Sequence, residues 1–453
     1  MKMSHIPDAA TIYALSSAPG RAGIAVVRLS GPQTGQVLNL MASPRPKPRM
    51  AAARAIRHPQ TGEILDRGLV LWFPGPKSFT GEDAGELLIH GGRAVVAAIL
   101  AAIASVPGCR LAEPGEFARR AFDSGKLDLT EVEGLADLIA AETEAQRRQA
   151  LRQATGELAG LVESWRSELL EALSLLESAI DFSDEAEVSD QCAAEARVRV
   201  VSLASRLARF LDDGQRGEIV RDGFRVVLAG PPNVGKSSLL NALARRPAAI
   251  VSEEAGTTRD VIEVHLDLEG FPVIVSDTAG LRSTDQSVEQ EGIRRTLQTA
   301  AEADLVLWLV DPHAPVVTLP RDLAAVADHV LVVLTKSDLL AGGAPSILPD
   351  DGVVISSKTG EGLADLSGRI AAIARDSLAS GESLGPVLTN ARQRGHAAAA
   401  HRALLTFLQS PLELTELRAE DLRQAANALE RFTGRIDVED VLDGIFSRFC
   451  IGK

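Results

Sequence analysis

Apolar positions along the chain keep a different spacing in each region. In the first third, TIYALSS, GIAVVRLSG, DRGLVLWFPGP and GELLIHGG are short runs with β-branched residues between turn-forming residues. Runs of this kind predict strands. They are followed by AVVAAILAAIASV, Ala94 to Val106, an uncharged stretch that predicts a buried helix starting near Arg93. It is too short for a bilayer span, which takes about 20 residues. Residues 1–126 therefore read as an α+β domain, with the glycines of GRAGIAV and IHGG marking tight turns.

From about Thr130 to Ile180, Leu151, Leu158, Leu161, Trp165, Leu169, Leu173, Leu176 and Ile180 recur at spacings of three, four or seven, with Glu and Arg between them. That period is helical. A second amphipathic stretch runs from Ala193 to Leu211. Strand-like runs then return as FRVVLA, FPVIVS, VLVVL and VVI, from about Arg221 to the linker SGESLGP near Gly381. Beyond the linker, NARQRGHAAAAHRALLTFL, LRAEDLRQAANALERF and VEDVLDGIFSRF are helical again. The simplest arrangement joins residues 127–220 and 384–453 into one all-α domain, with residues 221–383 inserted as an α/β domain with a mostly parallel sheet. The expected class is thus multidomain, α/β and α+β.

The composition, 453 residues with 45% hydrophobic, suits about three domains of roughly 150 residues. Cys109, Cys192 and Cys450 are odd in number and far apart, which argues against a disulfide framework and for a reducing compartment. The eight histidines show no metal-ligand spacing, and MKMSHIPDAATIY has no cleavable-signal pattern, so a cytoplasmic protein without a membrane segment is expected. The net charge of −14 is unevenly spread: residues 1–126 carry +6 and residues 127–220 carry −11. An RNA partner would have to meet local basic surface, and the amino-terminal third is the place expected for it. The plain alternative is that +6 only balances an acidic neighbour.

The stretch GPPNVGKSS, Gly230 to Ser238, changes the picture most, because it follows FRVVLA and fits G-x-x-x-x-G-K-[ST]. Glycines let the backbone curl so that successive N–H groups of Asn233, Val234, Gly235, Lys236, Ser237 and Ser238 face phosphate oxygens at a helix N-terminus. Lys236 would reach the β and γ phosphates, and Ser237 offers a hydroxyl to Mg²⁺. Three further elements follow in order. The polar stretch Ser252, Glu253, Glu254, Ala255, Gly256, Thr257, Thr258 would bring Thr258 to Mg²⁺ and the γ phosphate. DTAG, Asp277, Thr278, Ala279 and Gly280, ends FPVIVS, so that Asp277 can hold Mg²⁺ through water and the Gly280 amide can sense the γ phosphate. TKSD ends VLVVL, so that Asp338 can accept from the two guanine donors while the Lys336 stem packs on the base. Ser356, Ser357 and Lys358 follow VVI and offer backbone donors to the guanine O6.

This order predicts a GTPase, with two departures and one gap. Thr335 stands where Asn is usual, which removes one structural amide contact, and Ser357 stands where Ala is usual. Leu281 follows DTAG where Ras-type enzymes place a water-orienting Gln. Asn233 could instead coordinate a monovalent cation where an arginine finger would bring its charge, and Glu289 could orient the water, although taken alone Glu289 reads as a solvated charge.

Along its whole length the chain resembles the MnmE, or TrmE, family of tRNA-modifying GTPases. The motifs are APGRAGIAVVRLSG, LWFPGPKSFTGED, HGG, EPGEFARRAFDSGKLDL, IVSEEAGTTRDV, DTAGL and the terminal FCIGK. The resemblance implies a folate-binding amino-terminal domain that dimerises, a helical domain in two segments and an inserted Ras-like P-loop domain. It also implies a homodimer that works with an FAD-dependent flavoprotein of the MnmG, or GidA, type, in a heterotetramer. Together they would install an aminomethyl-type group, aminomethyl or carboxymethylaminomethyl, at C5 of the wobble uridine of certain tRNAs.

Matched residue by residue, Arg28, Glu86, Lys126 and Lys453 are implied to bind 5-formyltetrahydrofolate or methylenetetrahydrofolate. Glu86 would accept from the pterin, while Arg28, Lys126 or Lys453 meet anions; taken alone, each reads as a surface charge. Asn233, Ser252, Glu254 and Thr257 match a potassium site, Ser237 and Thr258 the magnesium ligands, and Glu289 the water-positioning residue. Cys450, in FCIGK, is either a buried structural cysteine or a participant in one-carbon transfer. Potassium and dimerisation of the G domains would activate hydrolysis. Two other function classes remain open: a regulatory ribosome-assembly GTPase, which calls for a basic RNA-binding appendage, and a folate-dependent methyl-group enzyme that acquired a G domain.

Overall fold

The computed structural model describes residues 10–181, 186–250, 263–277, 299–313, 323, 325, 329–340, 349, 352–379, 385–411, 414–436, 442, 445–446, 449 and 451–452. They divide into two compact units, one of residues 1–136, 154–166 and 426–453, the other of residues 137–153 and 167–425.

In the first unit, β1 (Thr11–Leu15), β2 (Ala22–Ser30), β3 (Ala52–Arg57), β4 (Ile64–Phe73), β5 (Ala84–Gly91) and β6 (Cys109–Leu111) form one sheet in the order β3-β4-β5-β2-β1-β6. Every pairing is antiparallel except β1 with β6. Ala25, Val27 and Leu29 of β2 face the core, and Ile24, Val26 and Arg28 between them are less buried, as a period of two requires. Helices α1 (Thr34–Met41) and α2 (Arg93–Ala104) cover that inner face through Val37, Leu38, Met41, Ile99, Ala102 and Ile103. Helix α2 is buried on that face alone, so the uncharged run expected to form a buried helix is half-buried.

Helix α3 (Glu116–Asp123) and α4 (Leu129–Ala140) as far as Ala136 extend this unit. Ala118, Leu129 and Val132 pack with Leu442, Phe446 and Phe449 from the end of the chain. Gly115, ahead of α3, has φ +70°, and a Cβ there would lie 2.5 Å from the Phe446 carbonyl oxygen, so only glycine fits the EPGEF turn.

The periodic stretch expected between Thr130 and Ile180 contains α4, α5 (Glu144–Ala154) and α6 (Glu157–Asp181), broken at 141–143 and 155–156. Helix α7 (Ala186–Asp222) extends the second amphipathic stretch in both directions.

The inserted domain holds β7 (Phe224–Ala229), α8 (Lys236–Ala244), β8 (Glu263–Leu268), β9 (Phe271–Asp277), β10 (Leu305–Val310), β11 (Val330–Leu334), β12 (Val353–Val354) and α9 (Leu363–Ala379). Its sheet runs β12-β11-β10-β7-β9-β8, with only β8 antiparallel to its neighbour. Strand β10 is buried at all six positions, the continuous apolar pattern of a strand covered on both faces. This strand order is that of a Ras-like P-loop domain. Its central strand, β7, lies between β9 and β10, where the chain winds outward in both directions, and open parallel sheets bind ligands at the carboxyl ends of strands there.

After the inserted domain come the late helices α10 (Ala391–Gln409) and α11 (Thr415–Thr433). Helix α10 packs along α7 in the second unit. In the first unit, Arg166 of α6 pairs with Glu430 of α11 at 2.8 Å. Within each unit, then, a late segment of the chain packs on an earlier helix.

Candidate functional site

The loop between β7 and α8 leaves the carboxyl end of β7 in an unusual conformation. Gly230 has φ +149°, Asn233 +61° and Gly235 +111°. A Cβ on Gly230 would sit 2.7 Å from the Leu309 carbonyl oxygen, so glycine is required by the neighbouring strand as well as by the turn. Lys236 curls over the loop, and its Nζ donates to the carbonyls of Gly230 at 2.9 Å and Pro231 at 3.1 Å. Burial lowers its pKa, while the nearby Asp277 carboxylate acts in the opposite direction.

Asp277 ends β9, the strand beside β7, and is 4% exposed. Ser237 Oγ donates to its Oδ2 at 2.8 Å. A hydroxyl and a carboxylate, two hard oxygen donors, thus meet beside the loop, and this donor set fits Mg²⁺. The other expected magnesium ligand, Thr258, lies outside the described residues, as do Ser252, Glu253, Glu254, Ala255, Gly256, Thr257, Thr278, Ala279, Gly280 and Glu289. Of the expected potassium ligands Asn233 is described: it is exposed and has a positive φ.

The residues expected to read guanine follow β11 and β12 at the carboxyl ends of these strands. Thr335 is 2% exposed, and its Oγ1 contacts the carbonyl oxygens of Val234 at 2.8 Å and Val310 at 3.1 Å. The replacement of Asn by Thr predicts a missing contact here. The hydroxyl supplies a tie to the phosphate loop in its place.

Lys336 Nζ donates to the Asn233 carbonyl at 3.0 Å and to Asp311 Oδ2 at 2.6 Å. Asp311 follows β10 and does not stand out in the sequence. The available signal was an acidic residue closing the apolar run LVLWLV, as Asp277 closes FPVIVS. Buried Ser356 donates from Oγ to Asp338 Oδ1 at 2.7 Å, so one acceptor of the carboxylate expected to read the base is held by the last element. Lys358 is 4.0 Å from the other oxygen and is largely exposed. Ser357 lies in the turn between them.

The residues expected to take folate lie in the first unit. Arg28 and Glu86 are cross-strand partners on β2 and β5 and pair with each other, Arg28 NH2 to Glu86 Oε1 at 3.0 Å. Reading them separately, one for anions and one for a pterin, missed this pairing. The Arg28 guanidinium carbon also lies 5.9 Å from the ring centroids of exposed Phe79 and buried Phe117.

Three other segments reach this end of the sheet. Ser30 Oγ is 2.6 Å from Thr80 Oγ1, and Ser124 Oγ donates to the Thr80 carbonyl at 2.7 Å. Lys126 lies beside that turn, its Cε 3.5 Å from where a Cβ on Gly81 would stand. Ser16 Oγ donates to the Gly452 carbonyl at 2.8 Å, which brings the end of the chain beside β1. Cys450 and Lys453 flank that segment and lie outside the described residues. Below the cluster, Arg120 is 6% exposed and donates to Glu82, to Glu116 and to the Ala10 carbonyl. This network gives Glu116 and Arg120 of EPGEFARR their partners.

Comparison with known proteins gives concordant results. The family described as MnmE helical domain matches residues 129–450, and that described as GTP-binding protein TrmE N-terminus matches residues 11–126. The tRNA modification GTPase MnmE of Paramagnetospirillum magneticum is 53% identical over 449 residues, covering 98% of this chain and 99% of its own. That of Parvibaculum lavamentivorans is 53% identical over 447 residues, covering 98% and 100%. Among solved structures, the G domain of the T. maritima FeoB iron transporter is 29% identical, covers 33% of this chain and 98% of its own, and has a TM-score of 0.26.

Proposed function

The chain belongs to the MnmE family of tRNA modification GTPases, and from this membership we propose that it hydrolyses GTP to drive modification of the wobble uridine of certain tRNAs. One observation carries the GTPase part. Lys236, Ser237, Asp277, Thr335, Lys336, Asp338 and Ser356 all lie at the carboxyl ends of adjacent parallel strands, with Ser237 bonded to Asp277 at 2.8 Å. An arrangement of this kind performs phosphoryl transfer by positioning and charge stabilisation.

The phosphate loop binds and orients the nucleotide through its N–H groups and Lys236. Asp338, held by Ser356, accepts from the guanine donors. Ser237 and Thr258 hold magnesium with Asp277 behind them, and the ion supplies charge neutralisation at the phosphates. Asn233, Ser252, Glu254 and Thr257 hold potassium, whose charge serves where other GTPases bring an arginine, and Glu289 orients the water. Two G domains of a homodimer meet to order these loops, and the helical domain relays the change.

In the amino-terminal domain, Arg28, Glu86, Lys126 and Lys453 hold a tetrahydrofolate, which supplies the one-carbon unit. The Arg28–Glu86 pair fits this task, since it presents donors and an acceptor together beside exposed Phe79. The partner is an FAD-dependent flavoprotein of the MnmG type, in a heterotetramer, and the site of action is the cytoplasm. Among the described residues no helix is long and apolar enough to cross a membrane.

Mass spectrometry of tRNA nucleosides from cells lacking the gene tests the modification: loss of the aminomethyl-type wobble uridines is expected, and unchanged nucleosides would refute it. Hydrolysis in potassium against sodium tests the activation. A sharp fall in sodium is expected, and equal rates exclude the potassium role.

A further inference from the structure

Two of the four described non-glycine residues with positive φ, Asn233 at +61° and Lys336 at +55°, are joined directly, because Lys336 Nζ donates to the Asn233 carbonyl at 3.0 Å. Such conformations cost on the order of 1 kcal/mol or more each and persist where the surroundings over-determine them. The same ammonium is held by Asp311 Oδ2 at 2.6 Å. Asp311 is fixed from its other side, since Oδ1 accepts from the His313 backbone N–H at 2.9 Å. A carboxylate anchored at the end of β10 therefore sets where the Lys336 ammonium lies, and that ammonium sets the carbonyl of Asn233.

We propose that Asp311 is a positioning residue that, through Lys336, holds both the guanine-reading loop and the cation ligand Asn233 in their binding conformations. The inference rests on the guanine reading for one arm and on the potassium reading for the other. Lys336 is the residue whose stem packs on the base, so its ammonium must be placed before the stem can lie flat. Asn233 can present its side chain to a cation only while its backbone stays in the left-handed region. Both requirements pass through one charge-assisted pair. The rival view makes Asp311 and Lys336 an ordinary partly exposed ion pair, with side chains 22% and 34% exposed, that leaves nucleotide binding untouched.

The test uses the full-length protein and Asp311→Asn, which keeps the acceptor for the His313 N–H and loses the charge. Dissociation of a fluorescent GDP analogue is expected to be about tenfold faster, as when one charge-assisted hydrogen bond is lost. The potassium concentration for half-maximal GTP hydrolysis is expected to rise several-fold, while that for magnesium stays unchanged. Wild-type dissociation in Asp311→Asn would overturn the proposal, as would a wild-type potassium requirement in a protein that needs potassium. If the wild-type protein hydrolyses GTP equally in sodium, the potassium reading of Asn233 fails, and dissociation alone decides: faster supports Asp311 as the anchor of the guanine loop, unchanged overturns it. Thermal melting checks that the variant is folded. If Asp311→Asn is not, Asp311→Ser, which also keeps an acceptor for the His313 N–H, replaces it in both measurements, and the same results support or overturn the proposal.

Discussion

The hydroxyl of Thr335 and the carbonyl of Val234 are 2.8 Å apart, so the first residue of the element expected to read guanine is fastened to the loop after β7. Thr335 is buried, and removing its donor leaves a carbonyl without it. Thr335→Val, of similar shape, should lose about 1–3 kcal/mol of G-domain stability and weaken guanine nucleotide binding. Thr335→Ser should keep most of both. Urea unfolding with a fluorescent GDP titration measures the two effects, and a Val variant equal to wild type in both would remove the tie from the account.

Gly230→Ala should abolish nucleotide binding while leaving the amino-terminal domain folded. The added Cβ would meet the Leu309 carbonyl oxygen at 2.7 Å from a backbone at φ +149°. Neither β7 nor β10 can retreat, because both are buried and paired to each other. Calorimetric titration with GDP measures it, and ordinary affinity in the variant would contradict the packing argument.

Glu116 should make the amino-terminal domain sensitive to acid. Burial alone would raise its pKa, but hydrogen bonds from Arg110, the Glu113 N–H and Arg120 outweigh burial and hold it below the ordinary 4.5. A carboxyl whose folded pKa is depressed contributes stability above its unfolded pKa and loses it as pH falls through the folded one. The expected loss therefore begins below about pH 4.5. Urea midpoints measured down this range should fall for wild type and fall less for Glu116→Gln, which starts lower. Parallel curves would show that Glu116 is not the group.

Arg418 in α11 is wholly buried, and among the described residues none of its three guanidinium nitrogens has a hydrogen-bond partner. Its guanidinium carbon lies 4.2 Å from the centroid of Phe407. A desolvated cation–π contact is worth up to about 2 kcal/mol, and the nearby Asp421 carboxylate favours the charge while Arg197 opposes it, whereas burying an ion that lacks hydrogen bonds costs several kcal/mol. Desolvation should prevail, and Arg418→Met should raise the stability of the helical domain by about 1 kcal/mol or more. Denaturant unfolding of the variant decides this, and a loss of similar size would mean that the ring contact outweighs desolvation.

Local patterns carry much of this protein. The phosphate loop needs glycines and a lysine at fixed offsets, so GPPNVGKSS declares its chemistry within nine residues. The apolar runs before Gly230, Asp277, Thr335 and Ser356 place four elements at strand ends, because a strand buried on both faces must be continuously apolar. Helical period marked α6 and α7, although the short breaks around α5 were lost in a pattern that continues across them.

Tertiary structure decided what those residues touch. No spacing in the sequence could pair Arg28 with Glu86, 58 positions away, because strand register sets that contact. Nor could it show that Thr335 replaces an amide by bonding across 101 positions, or that Asp311 and Asn233 share one ammonium. The sequence by itself determined the chemistry available at each strand end, since that depends on residue type and local period. Strand order, burial and the geometry of partners far apart in the chain decided which of those groups meet, since a hydrogen bond forms only within about 3 Å, whatever the sequence separation.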